Sequence, residues 1–390
     1  MSPVIGISGS YGGLNIGDEA ILGAAIRQLR TACPDAEIVA FSRNAEHTRR
    51  HQDVDRAVNT RTSLRSQIVP ELERLDLLLL GGGGILYDTE ARAYLREVEL
   101  AVELKVPVFA FAIGIGPLDK REDRRAVRDG LNRMAGITVR EVTAKRLCEE
   151  IGVTVPVEVT ADPAWLLEPL PFTDDMLRRE AIPADRRLVG LSVRERGAAA
   201  PGLADTAYHE RLANVADYMI RRFDADVVLV PMERVDRNES HRVIAGMAYP
   251  ERAHVLKGDY DPRRIMGLAG RFALAAGMRL HFLIFAAVTG TPFMALPYAS
   301  KVQDLMDSLG AADFMAGEPA HLGAFLAAMD RLWDERETRS GPVAGRVTAL
   351  QGLARRTVPL ALATIGAGPG CAAVSVTQAG EDLANPPVAF

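Results

Sequence analysis

Arg279 and His281 interrupt an apolar stretch, and Lys301 follows a second apolar run a short way on. A guanidinium grips an anion with a two-pronged fork, an imidazole carries a proton near neutral pH, and an ammonium is a compact point charge. Together they are parts for binding an anionic substrate and protonating it. Arg140, closing the apolar run 137–139, and Arg194, closing 188–193, stand in comparable positions. Nearer the N-terminus the loop SYGGLNIGDE, residues 10–19, carries Asn15, Gly17 and Asp18, and the glycine run 81–84 includes Gly82 and Gly83. Four glycines after an apolar run let backbone N–H groups approach a ligand and cradle an anion. Plainer explanations compete. A histidine at a helix start often only caps or packs, and an arginine often only forms a surface salt bridge. Asp18 suits a first helical turn through the helix dipole alone, and glycines also serve tight turns and close helix–sheet packing.

The elements that would position these residues follow from periodicity. Apolar runs of strand length at 3–9, 38–42, 75–80, 106–115, 137–139 and 155–160 alternate with stretches of helical spacing. The rhythm restarts after 169–187, a segment rich in proline and charge, with runs at 188–193, 227–230, 254–256, 272–276 and 292–296. Alternation of this kind predicts an α/β chain of two Rossmann-like domains, their parallel sheets facing a cleft. The expected division is 1–168 for the first domain, 169–187 for the crossing, 188–345 for the second domain, 346–365 for a C-terminal helix and 366–390 for a mobile tail. A small-residue loop, 197–202, is expected to move. Open sheets bind ligands beyond the carboxyl ends of their strands, where Arg140, Arg194, Arg279, His281 and Lys301 would all lie.

Composition bounds the function. The 390 residues are 48% hydrophobic, with a net charge of -5 and a pI near 5.9, which argues against a broad nucleic-acid surface. Cys33, Cys148 and Cys371 show neither metal spacing nor an even disulfide framework, so a reducing compartment is expected. The first strand begins at once, without a signal peptide, and no apolar run reaches the length of a membrane span. A cytoplasmic chain is expected, with peripheral contact at the inner face of a membrane left open. The dinucleotide fingerprint and the phosphate-binding P-loop are both absent, and no metal cluster is evident.

Four motifs carry a family resemblance: YGGLNIGDEAIL at 11–22, LLLLGGGGILYD at 77–88, TVRE at 138–141 and GMRLHFLIFAAVTGTPFMALPYASKV at 277–302. With them the chain resembles the polysaccharide pyruvyltransferases. The resemblance implies a GT-B-like architecture and phosphoenolpyruvate as donor substrate, with no cofactor and no metal. It also implies a glycan or lipid-linked saccharide as acceptor, and a pyruvate ketal plus phosphate as products. Arg140, His281 and Lys301 would then be the catalytic residues, His281 as the acid. Arg279 and Arg194 would bind substrate on the donor side, in the second domain. Asn15, Gly17, Asp18, Gly82 and Gly83 would serve the acceptor in the first. The same reading surrounds His281 with positive charge from Arg279, Lys301 and a helix N-terminus. Two other readings compete: a glycosyltransferase using a nucleotide sugar, for which no ribose-binding acid motif is seen, and a non-catalytic glycan-binding protein, which should have lost one of the basic residues.

Overall fold

Strands such as LLLLGGGGIL and VFAFAIGI have no polar alternation, so both of their faces need cover. The computed structural model describes residues 2–196, 204–296, 300–315, 322–366 and 371, and supplies that cover with helices on both sides of two parallel sheets. The first sheet holds β1 (Val4–Ser8), β2 (Glu37–Ser42), β3 (Arg56–Asn59), β4 (Leu77–Leu86), β5 (Val108–Ile115), β6 (Gly136–Val139) and β7 (Val157–Val159), in the order β3-β2-β1-β4-β5-β6-β7. The second holds β8 (Leu188–Ser192), β9 (Asp226–Leu229), β10 (Ala253–Val255), β11 (Phe272–Gly277) and β12 (Phe293–Ala295), in the order β10-β9-β8-β11-β12. Strand order reverses direction between β1 and β4 and again between β8 and β11, the crevices where sheets of this kind take ligands.

Helix α1 (Ile16–Ala32) joins the two halves. Asn15 caps it, its side-chain oxygen accepting from the N–H groups of Gly17 and Asp18 at 2.9 and 3.2 Å. The Ile16 N–H donates across to the Met232 carbonyl of the second half at 2.9 Å. Along its length α1 packs against helices Pro262–Ala269 and Leu280–Val288.

Four details depart from the sequence expectation. Strand β4 does not stop before the glycines but runs through them to Leu86, because α1 lies too close for side chains there. A Cβ on Gly82 would stand 2.1 Å from the Ile21 Cγ2, and the φ angles of Gly82 and Gly83, +33° and +88°, are ones that side-chain-bearing residues rarely adopt. The C-terminal helix expected at 346–365 is divided: its first part belongs to one long helix, Leu322–Arg355, and its second is Thr357–Ala363. Pro342 costs a helix about 3 kcal/mol. That cost is offset here because Phe325, Met329 and Leu332 before it and Val347 and Ala354 after it are buried in the same core. The final helices return to the first sheet, where Thr357 donates to Thr160 at 3.0 Å. Segment 169–187, expected only as a crossing, also adds to the core: Phe172, Leu177 and Ile182 are buried, and Glu180 accepts from the Lys257 and Gly258 N–H groups and from the Tyr260 hydroxyl.

The fourth departure concerns the cysteines. Cys33, fully buried at the end of α1, forms a disulfide with Cys371, and Cys148 is free and buried. Spacing could not show this pairing. Apart from Gly366 and Cys371, the tail 366–390 lies outside the described residues, as does the loop 197–202. Among the described residues no helix is long and apolar enough to cross a membrane.

The contact of Gly82 with Ile21 sets how near α1 comes to β4. Gly82→Ala should therefore destabilise the protein by about 1–3 kcal/mol through overpacking and backbone strain, read as a lower denaturant midpoint with unchanged slope.

Candidate functional site

The two crevices face each other and enclose a cleft of about 630 Å³, within the usual range for a small-ligand site. Arg140 enters it from the end of β6, Arg194 from just beyond β8, Arg279 and His281 from beyond β11, and Lys301 from the helix Ser300–Ser308 beyond β12. Asn15, Gly17 and Asp18 line it from the start of α1, and Gly84 from β4. Gly82 and Gly83 are buried beside α1, and at Gly82 the missing side chain lets Ile21 of that helix approach. Asn15 divides its work: the oxygen caps α1 and the amide nitrogen donates to Glu233 of the other half.

The anchor of the cleft is Asp162, which the sequence analysis did not single out. It follows β7 and caps the short turn Pro163–Leu166, accepting from the Ala164 N–H at 2.9 Å. Its other oxygen accepts from the Arg140 Nη1 at 2.9 Å and lies 3.4 Å from the His281 Nε2. Burial alone would raise its carboxyl. His281, Arg140 and the Ala164 N–H outweigh that and hold it far below the usual carboxylate range. Asp162 lies at the same strand edge that singled out Arg140, so the edge rule applied to acids as well as bases would have found it.

Arg140 is held on two sides. Its Nε donates to Glu141 at 2.8 Å and its Nη1 to Asp162. Its Nη2 lies against Gly84 and Gly114, where a Cβ would come within 3.4 and 2.9 Å. The two carboxylates outweigh burial and raise its affinity for the proton further, so the charge is permanent. His281 has a comparable seat. A Cβ on Gly17 would stand 2.0 Å from the His281 Nδ1, so only glycine leaves room for the ring.

The cleft is not the cation cluster that the sequence suggests. Arg279 lines it but donates through Nε to Asp236 at 2.9 Å and through Nη2 to Glu233 at 2.9 Å, with the other Asp236 oxygen also in contact. Its charge is therefore matched inside the protein, against the fully buried Asp236 above all. Arg194 pairs with Glu195. Asp162 and Asp18 stand beside His281 where only positive charge was expected. Burial raises the carboxyl of Asp18, opposed by His281, by a hydrogen bond from Ser10 and by Lys301. Burial likewise raises Glu141, opposed by Arg140, and Asp304, opposed by its hydrogen bond from the Thr143 hydroxyl at 2.6 Å. That last bond also ties the first half to the second across the cleft. On the outer wall Arg43 donates to the Tyr94 hydroxyl, with Tyr87 nearby. Neither the arginine nor the two tyrosines was singled out in the sequence, since nothing local marks them.

Asp162 supplies a pH test. A carboxyl with a lowered folded-state pKa stabilises the fold fully above its unfolded value of about 3.9, and the contribution fades as pH falls below that. Asp162→Asn should cost about 3 kcal/mol near neutrality, the lower end for breaking a buried ion pair. The gap in thermal midpoint between the two proteins should shrink from pH 5 to pH 3, measured by calorimetry; a gap that stayed constant would separate Asp162 from the charge cluster.

Comparison with known proteins agrees with this architecture. The family model described as polysaccharide pyruvyl transferase matches residues 15–300. The amylovoran biosynthesis protein AmsJ of Erwinia amylovora is 22% identical over 317 residues, which cover 77% of this chain and 75% of AmsJ. Among solved structures, the UDP-GlcNAc 2-epimerase of Methanocaldococcus jannaschii is similar with a TM-score of 0.57 at 12% identity, covering 85% of this chain and 92% of the epimerase. A glycosyltransferase of Rickettsia africae is similar with a TM-score of 0.58 at 10% identity, covering 94% and 99%. At these identities the structures speak for the fold alone, a GT-B-like pair of Rossmann-like domains. The family match covers most of both sheets and most of the residues that line the cleft, and by it the chain belongs to the polysaccharide pyruvyl transferase family.

Proposed function

We propose that the protein transfers pyruvate from phosphoenolpyruvate to a sugar of a cell-surface polysaccharide or of its lipid-linked precursor. The observation that carries this reading is the convergence of Arg140, His281 and Lys301 from both domains on one cleft. Family membership supports a transferase that modifies polysaccharide, and the chemistry of these three groups supports the donor.

Phosphoenolpyruvate carries a carboxylate and a phosphate close together. Lys301 and the Nη2 edge of Arg140 are suited to these two anions, the former as a point charge and the latter as a fixed guanidinium. The reaction adds a proton to the methylene carbon and forms two C–O bonds at the neighbouring carbon, one from each of two sugar hydroxyls. The C–O bond to phosphate breaks. Of the two hydroxyl protons, one is matched by the new methyl group and the other leaves with phosphate. His281 serves as the general acid that delivers the carbon proton. Arg140 and Lys301 stabilise the charge gathering on the departing phosphate. Arg279 acts at one remove: its ion pairs with Asp236 and Glu233 fix the start of the helix Leu280–Val288 from which His281 projects. The acceptor is assigned to the side of Asn15, Asp18 and Gly84.

The carboxyls in the cleft imply a linkage. Asp18, Glu141 and Asp304 already favour the protonated form more than free carboxyls do, and an incoming anion pushes them further that way. Donor binding should therefore take up protons, tighten as pH falls from 8 to 6, and weaken with salt. Calorimetry of phosphoenolpyruvate binding in two buffers of different ionisation enthalpy measures the uptake; none at all would show that the acids stay ionised. Lys301→Ala should weaken donor binding. His281→Gln should retain binding and lose roughly 10² to 10⁴ in turnover, as for a missing general acid. Near-normal turnover by His281→Gln would remove the imidazole from the chemistry.

A further inference from the structure

His47, His51 and Asp259 play no part in the reaction described above, yet the fold brings them together. His47 and His51 lie one turn apart on α2 (Ala45–His51), so both rings project from one face, and they stack with centroids 4.1 Å apart. Asp259 comes from the other domain, in the loop between β10 and the helix Pro262–Ala269. One ligand atom from each of the three residues lies within 4.8 Å of the other two. Two imidazoles and a carboxylate are a ligand set of the kind zinc takes, with a fourth position left to water. Ligands about 2.0–2.2 Å from a tetrahedral zinc ion sit roughly 3.3 Å apart, within reach of small side-chain rotations from this arrangement.

Two further features suit the group to a metal. The Nδ1 of His51 lies 2.9 Å from the His47 carbonyl, which fixes the tautomer with its proton on Nδ1 and leaves Nε2 with a lone pair. Arg50, the nearby cation on the same helix, is occupied by Glu46.

We propose that His47, His51 and Asp259 form a divalent-metal site of the zinc class that bridges the two domains beside the cleft. Helix α2 starts directly after Arg43, which lines the cleft, so an ion here would tie the wall on the first domain to a loop of the second. Domain opening would then require an Asp259 ligand to be released, and metal occupancy would limit the width of the cleft. The inference concerns residues outside the chemistry and holds whatever substrate the cleft takes.

The test uses the full chain, freed of metal with a chelator and titrated with Zn²⁺ by calorimetry and with Co²⁺ by visible absorption. The wild type should bind one ion and show the strong visible bands of low-coordinate cobalt. His51→Ala and Asp259→Ala should each weaken binding by at least the roughly 10–100-fold lost with a supporting group alone, and Asp259→Glu should restore part of it. Energy transfer between labels on the two domains should narrow in distribution when Zn²⁺ is added to wild type, and not in Asp259→Ala. All three side chains are at or near the surface, so circular dichroism should show folded variants. Two results would overturn the proposal: a wild type without an ion at micromolar Zn²⁺, or an Asp259→Ala protein binding as tightly as wild type, which would confine the ion to α2 and abolish the bridge.

Discussion

One buried carboxylate holds the cleft together. Asp162 takes a backbone N–H, the Arg140 guanidinium and the edge of the His281 ring onto a single side chain that water scarcely reaches. Taking these charges out of water is expensive, and only their mutual contact offsets the cost. The consequence is positional. Arg140 and Asp162 lie at the edge of the first sheet and His281 at that of the second, so the 3.4 Å contact of Asp162 with His281 spans the two strand edges at the place where a ligand would sit.

The remaining cross-cleft contacts act in the same direction. The Ile16 N–H reaches Met232, Asn15 reaches Glu233, and Thr143 reaches Asp304. All four of these attachments, counting Asp162 to His281, involve a residue at a helix start, where backbone groups are unpaired by the regular structure. The glycines complete the arrangement by absence. Gly17 leaves space for His281, Gly84 and Gly114 leave space for Arg140, and Gly82 lets α1 come close enough to bring Gly17 to its place.

The charges in the cleft are balanced rather than uniformly positive, and this suits a site that must be stable when empty. Arg279, matched by Asp236 and Glu233, illustrates the point: an unpaired guanidinium so deeply buried would cost more than the fold could spare. Under the proposed function, an anionic donor would enter a site whose own acids are already biased towards taking protons, so that ligand charge would replace protein charge instead of adding to it.

Much of this was legible before any coordinates. Uninterrupted apolar runs divided by amphipathic helices sufficed for two parallel sheets, and cations at the ends of those runs sufficed to locate the cleft, because both depend on short-range periodicity and on which edge of a parallel sheet is open. Arg140, Arg194, Arg279, His281 and Lys301 all came to line it for that reason. Partners were beyond reach. That Arg279 meets Asp236, that Asp162 meets His281, that Cys33 meets Cys371 and that Asp259 meets His47 and His51 are facts about residues distant in the chain. No local preference encodes such distances; they arise only when two sheets, built separately, are pressed together by a shared helix. The glycine run shows the same limit. Its composition is compatible with an anion cradle and with a tight helix contact, and only the approach of Ile21 to Gly82 decides in favour of the contact, since two atoms cannot share one volume.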